Sequence, residues 1–185
     1  MNITSEALIS ELIELTRQNI NEAEQLNQKP INELNWKLDE KTWSVLEAIE
    51  HLNLYGDFYL PEIEKCLSKS KKITEAYYKP GLLGNYFAKS MLPKEKLNKM
   101  NTFKSKNPNG SNLDKSALER FLSQQEKTLI LLNKARNVSL NKIKVPTTLG
   151  KLVKLKLGDT FRVVIYHNLR HIVQTKKILE AKTRL

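Results

Sequence analysis

The 185-residue sequence is short of the residues that staple, anchor or export a chain. It holds one cysteine, Cys66, so an intrachain disulfide framework is excluded. A lone cysteine of this kind reads as a small packing residue rather than a nucleophile. No run approaches the roughly eighteen apolar residues of a membrane span. Residues 1–28 scatter acids through a helical pattern, unlike a basic, apolar leader. A cytoplasmic location and no membrane partner are the expectations. Internal repeats and low-complexity tracts are missing, and so are helix-turn-helix, zinc-finger and RNP patterns. Histidine is scarce, with three in the whole chain.

Acids are also in deficit. Lys and Arg number 31 against 20 Asp and Glu, a formal net charge of +11. The bias is uneven. Residues 134–156 carry Lys134, Arg136, Lys142, Lys144, Lys151, Lys154 and Lys156 with no acid among them. Such a field attracts anions. A solvated surface accounts for it more simply than a polyanion site, so a basic nucleic-acid-binding protein stands as an alternative and not as the expected reading.

What is present is helical periodicity in a length that suits one domain, residues 1–185. A first helix is expected over residues 4–27, capped by Thr4 or Ser5, with Leu8, Leu12, Leu15, Ile20 and Leu26 as its stripe and Pro30 as its stop. The second starts at W-S-V-L-E-A-I-E-H-L, residues 43–52. There Ser44 and Glu47 have capping-box spacing, and Trp43 stands where a hydrophobic staple would pack on Ala48. Glu47 lies one turn before His51, but the cap is its first reading. Pro61 should kink this helix, which is expected to end near Ser68. Residues 71–113 form a long connection with a short helix near Leu83–Met91. A connection of this length fits a crossover between parallel helices. The third helix spans about Lys115–Ala135 with Asp114 as cap. Residues 137–157 read as irregular, with an extended segment over the bundle but no sheet. The fourth helix follows Gly158, with Asp159 as its expected N-cap. The fold class is all-α, a four-helix bundle.

The last helix carries His167 and His171, four residues apart and therefore stacked on one face. That face also holds Val164, Thr175 and Ile178, so it points inward. Two stacked imidazoles are a preset pair of nitrogen ligands, and His51 is the only other histidine available to complete a site. Zn, Ni, Fe and Mn are all compatible with imidazole. Three neutral ligands leave open positions on a metal, the mark of a catalytic site rather than a structural one.

W-S-V-L-E-A-I-E-H-L at 43–52 and L-G-D-T-F-R-V-V-I-Y-H-N-L-R-H-I-V-Q at 157–174 resemble the DinB/YfiT-like family of small bundle metalloproteins. That family shows W-S-x-x-E-x-x-x-H-L in its second helix and H-x-x-x-H in its fourth. The resemblance covers essentially the whole chain in element order. It implies an up-down-down-up bundle with a long crossover between helices 2 and 3, and a divalent metal on His51, His167 and His171. Where many members have Glu after the first histidine of the pair, this chain has Asn168. The metalloprotease motif H-E-x-x-H is excluded as well, because its acid is missing. The resemblance further implies a thiol-dependent transferase using a low-molecular-weight thiol such as bacillithiol or mycothiol, with a small-molecule substrate and a homodimer as candidate assembly. A hydrolase using metal-bound water would have the same ligands. Tyr55, Tyr166 and Arg170 neighbour the ligands without assigned roles. The lysines of 142–156 are candidates to hold a cofactor's carboxylates if that segment folds over the mouth of the site.

Overall fold

The computed structural model describes residues 3–93 and 102–184. Four long helices dominate: α1 Ser5–Asn27, α3 Val45–Lys69, α5 Ser116–Ala135 and α6 Leu157–Thr183. A single-turn helix α2, Ile31–Leu34, links α1 to α3, and α4, Leu82–Met91, lies in the connection after α3. The remaining elements are small: β1 Ile3–Thr4, β2 Tyr77–Tyr78, a 3₁₀ turn Lys104–Lys106, β3 Lys144–Thr147 and β4 Gly150–Lys156. No helix among the described residues is long and apolar enough to cross a membrane.

The helix starts are set by local chemistry. Thr4 caps α1, its hydroxyl accepting the Ala7 amide at 3.0 Å. At α3 the capping box forms in full: Ser44 Oγ accepts Glu47 N at 3.1 Å, and Glu47 accepts Ser44 N at 2.8 Å. Two orphan amides of the first turn are thereby satisfied. Asp114 accepts Ser116 N at 2.9 Å where α5 begins. Pro61 stands inside α3 without ending it.

Asp159 is not the cap expected of it. Helix α6 starts three residues earlier, after Lys156, and Asp159 sits in its first turn only 1% exposed. Its carboxylate accepts the Tyr78 hydroxyl and the Gly81 amide, the latter at 2.9 Å, and lies 3.6 Å from Arg162 Nη1. A buried carboxylate is stable only when paired in this way. The cluster fastens β2 and the start of α4 onto α6. Gly158, expected to precede the helix, lies inside it and is a close contact: a Cβ there would come within 2.5 Å of the Tyr78 ring.

Residues 137–157 also depart from expectation, because β3 and β4 pair antiparallel as a hairpin. Val145 and Leu155 face each other on its buried side, whereas Lys144 and Lys154 point outward. The alternation of apolar and basic residues fits a two-stranded ribbon with one wet face. The fold is mostly helical with two small strand pairs.

Side-chain pairs between helices give their relative directions. From α3 to α5 the pairs run Glu50–Arg120, Asp57–Gln124 and Glu64–Lys127, rising together. From α1 to α6 they run Glu11–Tyr166 and Glu22–Lys176, again rising. Between α1 and α5, Glu6 meets Arg136 and the Asn27 carbonyl meets Lys115, an opposite sense. Two apolar clusters fill the interior. One gathers Leu8, Leu12, Tyr59, Ile63, Leu131 and Phe161; the other gathers Leu26, Leu46, Leu52, Leu118, Phe121 and Ile172. Between them each long helix contributes buried polar residues: Asn19, Asn53, Gln125 and Asn168. The histidines lie at this level.

Candidate metal centre

His51 is 3% exposed and His171 8%, while His167 is half-buried. Helix α3 presents the first; α6 presents the other two one turn apart. The antiparallel approach of α3 and α6 brings all three rings together. His167 Nε2 lies 3.2 Å from His51 Nε2 and 3.1 Å from His171 Nε2. One nitrogen from each falls within 4.8 Å of the others, a group able to hold a metal ion. The sequence named all three, and the structure brings all three to one point.

The far sides of two rings define their tautomers. His51 Nδ1 is 2.7 Å from the Lys106 carbonyl, and His171 Nδ1 is 2.7 Å from Gln174 Oε1. A carbonyl oxygen can only accept, so each Nδ1 carries a proton and each neutral ring turns a bare Nε2 lone pair inward. Those lone pairs meet at His167 Nε2, which has at most one proton to give. One inward lone pair therefore goes unsatisfied without a cation, and a divalent ion would satisfy all three. The donor set fits a transition metal on this ground.

Burial keeps the rings neutral. It pushes His51 down to about 4, opposed by the hydrogen bond to the Lys106 carbonyl. It pushes His171 to about 3, and His167 falls well below the ordinary value, with its histidine neighbours adding to the effect. Unprotonated imidazole is the metal-binding form. Burial pushes the Tyr55 phenol up, so it stays a hydrogen-bond donor; its ring lies 5.0 Å from both His51 and His167.

Several neighbours were not legible beforehand. The Lys106 carbonyl comes from the 3₁₀ turn of the crossover, a partner separated from His51 by 55 residues. Residues 107–110, N-P-N-G, anchor the crossover on the start of α3. Asn107 accepts the Trp43 indole N–H at 3.1 Å, and Gly110 N donates to Glu47 at 2.6 Å. Gly110 has φ of 81°, a backbone that favours glycine. Glu47 also takes Lys37 at 3.0 Å, so its carboxylate is committed to the cap and the crossover and not to the metal site. Trp43 is half-buried, with its ring 4.7 Å from that of His51. Gln174 did have a signal, since it stands one turn beyond His171.

A cavity of about 1010 Å³ opens onto the three histidines. Arg170 lines it, whereas Tyr166 turns away and donates to Glu11 at 3.1 Å. Asn168 donates to Gln125 Oε1 at 3.0 Å, so a neutral amide pair occupies the place where a carboxylate was the commoner choice. The basic hairpin reaches the cavity through Thr147, Thr148, Leu149 and Leu155, not through its described lysines. Lys142 instead pairs with Glu75, and Lys156 donates to the Lys79 carbonyl. The side chain of Lys151 lies outside the described residues. For the described lysines 142, 144, 154 and 156 the expectation that they hold a cofactor is corrected: none lines the cavity, because the alternation that buries Val145 and Leu155 turns these bases outward.

A sequence model of the DinB superfamily matches residues 12–174. No curated protein and no solved structure gives a significant match.

Proposed function

The chain belongs to the DinB superfamily, and from that premise we propose that it is a metal-dependent enzyme whose divalent ion sits on His51, His167 and His171. We read residues 1–185 as one domain, an up-down-down-up four-helix bundle of α1, α3, α5 and α6 with its crossover between α3 and α5. The rising order of the α3–α5 and α1–α6 pairs supports that reading.

The observation that carries the proposal is the convergence of three inward nitrogens with the outer nitrogens of His51 and His171 already committed. A divalent ion on neutral ligands keeps its positive charge and lowers the pKa of a bound thiol or water. The reaction proposed is transfer to a low-molecular-weight thiol from a small electrophilic substrate. The chain's own residues hold the ring orientations through Gln174 and the Lys106 carbonyl, and the cavity keeps the reacting groups together and partly out of water. Tyr55 offers a phenol proton as a donor beside His51 and His167.

The test is metal analysis of the purified protein beside His167→Ala, which should lose stoichiometric metal while its helix content stays. Full occupancy in that variant would show that the ligands are wrong. In Co(II)-substituted protein a thiol should produce a sulfur-to-cobalt charge-transfer band and be consumed by a model electrophile. Metal-dependent ester hydrolysis with no thiol response would replace transfer by hydrolysis.

A further inference from the structure

The cavity is chemically lopsided about the histidines. Along α6 its wall runs from Val163 to Ala181, about 27 Å of helix at 1.5 Å per residue. His167 and His171 lie along that wall, after Val163 and Val164 and before Gln174, Lys177, Ile178 and Ala181, and the stretches on either side of them are the cavity's two arms. Towards the C-terminal end of α6 the lining includes Asp39, Lys41 and Lys177, with Gln174 and Asn107 between them. On the other side of the histidines the lining includes Tyr59, Phe87, Met91, Leu155, Val163 and Val164, together with the uncharged Thr128, Thr147 and Thr148. No charged side chain lines that second arm among the described residues. Three elements close it: α4 alongside α6, the hairpin turn at Thr148, and α3. The Asn85–Arg162 pair fixes α4 against α6, and the Tyr59 hydroxyl meets Thr148 Oγ1 at 3.4 Å. Among the described residues its lining includes two exposed apolar side chains, Leu149 at 44% and Phe103 at 48%.

We propose that this second arm binds the apolar body of the substrate, an alkyl or aryl chain, while the substrate's polar reacting end reaches the histidines. The naming of the occupant as substrate rests on the function proposed above; the binding of an apolar chain does not. A whole cavity of about 1010 Å³ is at the upper end of ordinary ligand sites. A metal and one small thiol would leave the uncharged arm filled only with water, which apolar walls hold poorly. A hydrocarbon chain gains by burial there in proportion to its length.

The experiment is calorimetric titration of the metal-stripped and metal-loaded protein with n-alkan-1-ols from butanol to decanol. Affinity should rise about fourfold per added methylene over several steps in both forms, the factor expected for a fully buried methylene. Leu149→Asp, at the exposed rim, and Val163→Phe, which fills the arm, should each flatten the rise. Leu38→Asp, on the charged arm and 61% exposed, should leave it intact. So should Leu152→Asp, because Leu152 is 97% exposed on the hairpin and lines no part of the cavity. If Val163→Phe does not fold, Leu149→Asp still decides. A flat series in the unsubstituted protein overturns the proposal, and so does a rise abolished by Leu152→Asp or Leu38→Asp but not by Leu149→Asp. Matching n-alkanethiols separate this result from the metal reading. If alcohols show the rise but thiols gain nothing from metal, the metal chemistry fails and the apolar arm stands.

Discussion

Replacing Gln174 by Leu tests the site through a residue that touches no metal. In the structure Gln174 Oε1 lies 2.7 Å from His171 Nδ1 and is the group that fixes the tautomer of that ring. Leu keeps the bulk and the helix propensity but offers no acceptor. Losing an outer partner of this kind typically costs 10–100-fold in metal affinity, or about 1.4–2.7 kcal/mol. The fold should hardly notice. Gln174 is half-buried, one hydrogen bond has a net worth of about 1 kcal/mol, and Leu opens no cavity. Gln174→Glu restores an acceptor and adds charge, so its affinity should equal or exceed that of the unsubstituted protein. Competition against a chromophoric chelator gives the affinities, and urea unfolding of the metal-free proteins gives the stabilities. If Gln174→Leu binds metal within about twofold of the unsubstituted protein while His167→Ala is empty, the tautomer argument is wrong. If affinity and stability fall together, Gln174 is a packing residue.

Other outcomes follow from the same contacts. Gly158→Ala would push a Cβ to 2.5 Å from the Tyr78 ring, so urea unfolding should show a loss of about 1–3 kcal/mol, the usual cost of overpacking. Trp43→Ala removes a half-buried ring tilted against His51, and urea unfolding should show a cost of about 2 kcal/mol, below the value for a fully buried tryptophan. Acid should destabilise the metal-free protein: the folded pKa of His51 is lowered to about 4 from 6.5, so the unfolded chain takes the proton first. Stability is then complete above about pH 6.5 and falls by roughly 3 kcal/mol for this group as the pH drops to 4. A pH-independent midpoint between pH 7 and 5 would contradict the burial of neutral histidine. Duplex DNA should bind weakly and with a steep salt dependence, as measured by anisotropy, because the basic residues of the hairpin form an outward face rather than a shaped groove.

Much of this molecule was legible in one dimension. The α3 capping box, the stripes of the long helices and the His167–His171 pair are local patterns, since their partners lie within four residues. Local spacing fixes which side chains share a helix face, and scarcity did the rest: with three histidines in the chain, His51 was the only candidate to meet the pair. The β3–β4 hairpin was harder, because a short alternating run between helices gives little sign of whether its strands will pair. Asp159 misled for a related reason. An acid near a helix start looks like a cap, and only the arrival of Tyr78 and Gly81 from the connection after α3, beside the local Arg162, makes it a buried carboxylate.

The sequence by itself determined the long helices, their buried faces and the pairing of His167 with His171 on one face, because each depends on a period of a few residues. The tertiary structure alone decided what surrounds the histidines. The Lys106 carbonyl behind His51, the uncharged arm between α4 and α6 and the outward turn of the hairpin lysines come from segments 50 or more residues apart in the chain. Their meeting depends on which helix pairs compete successfully for the same apolar surface, and no spacing along the chain records the result.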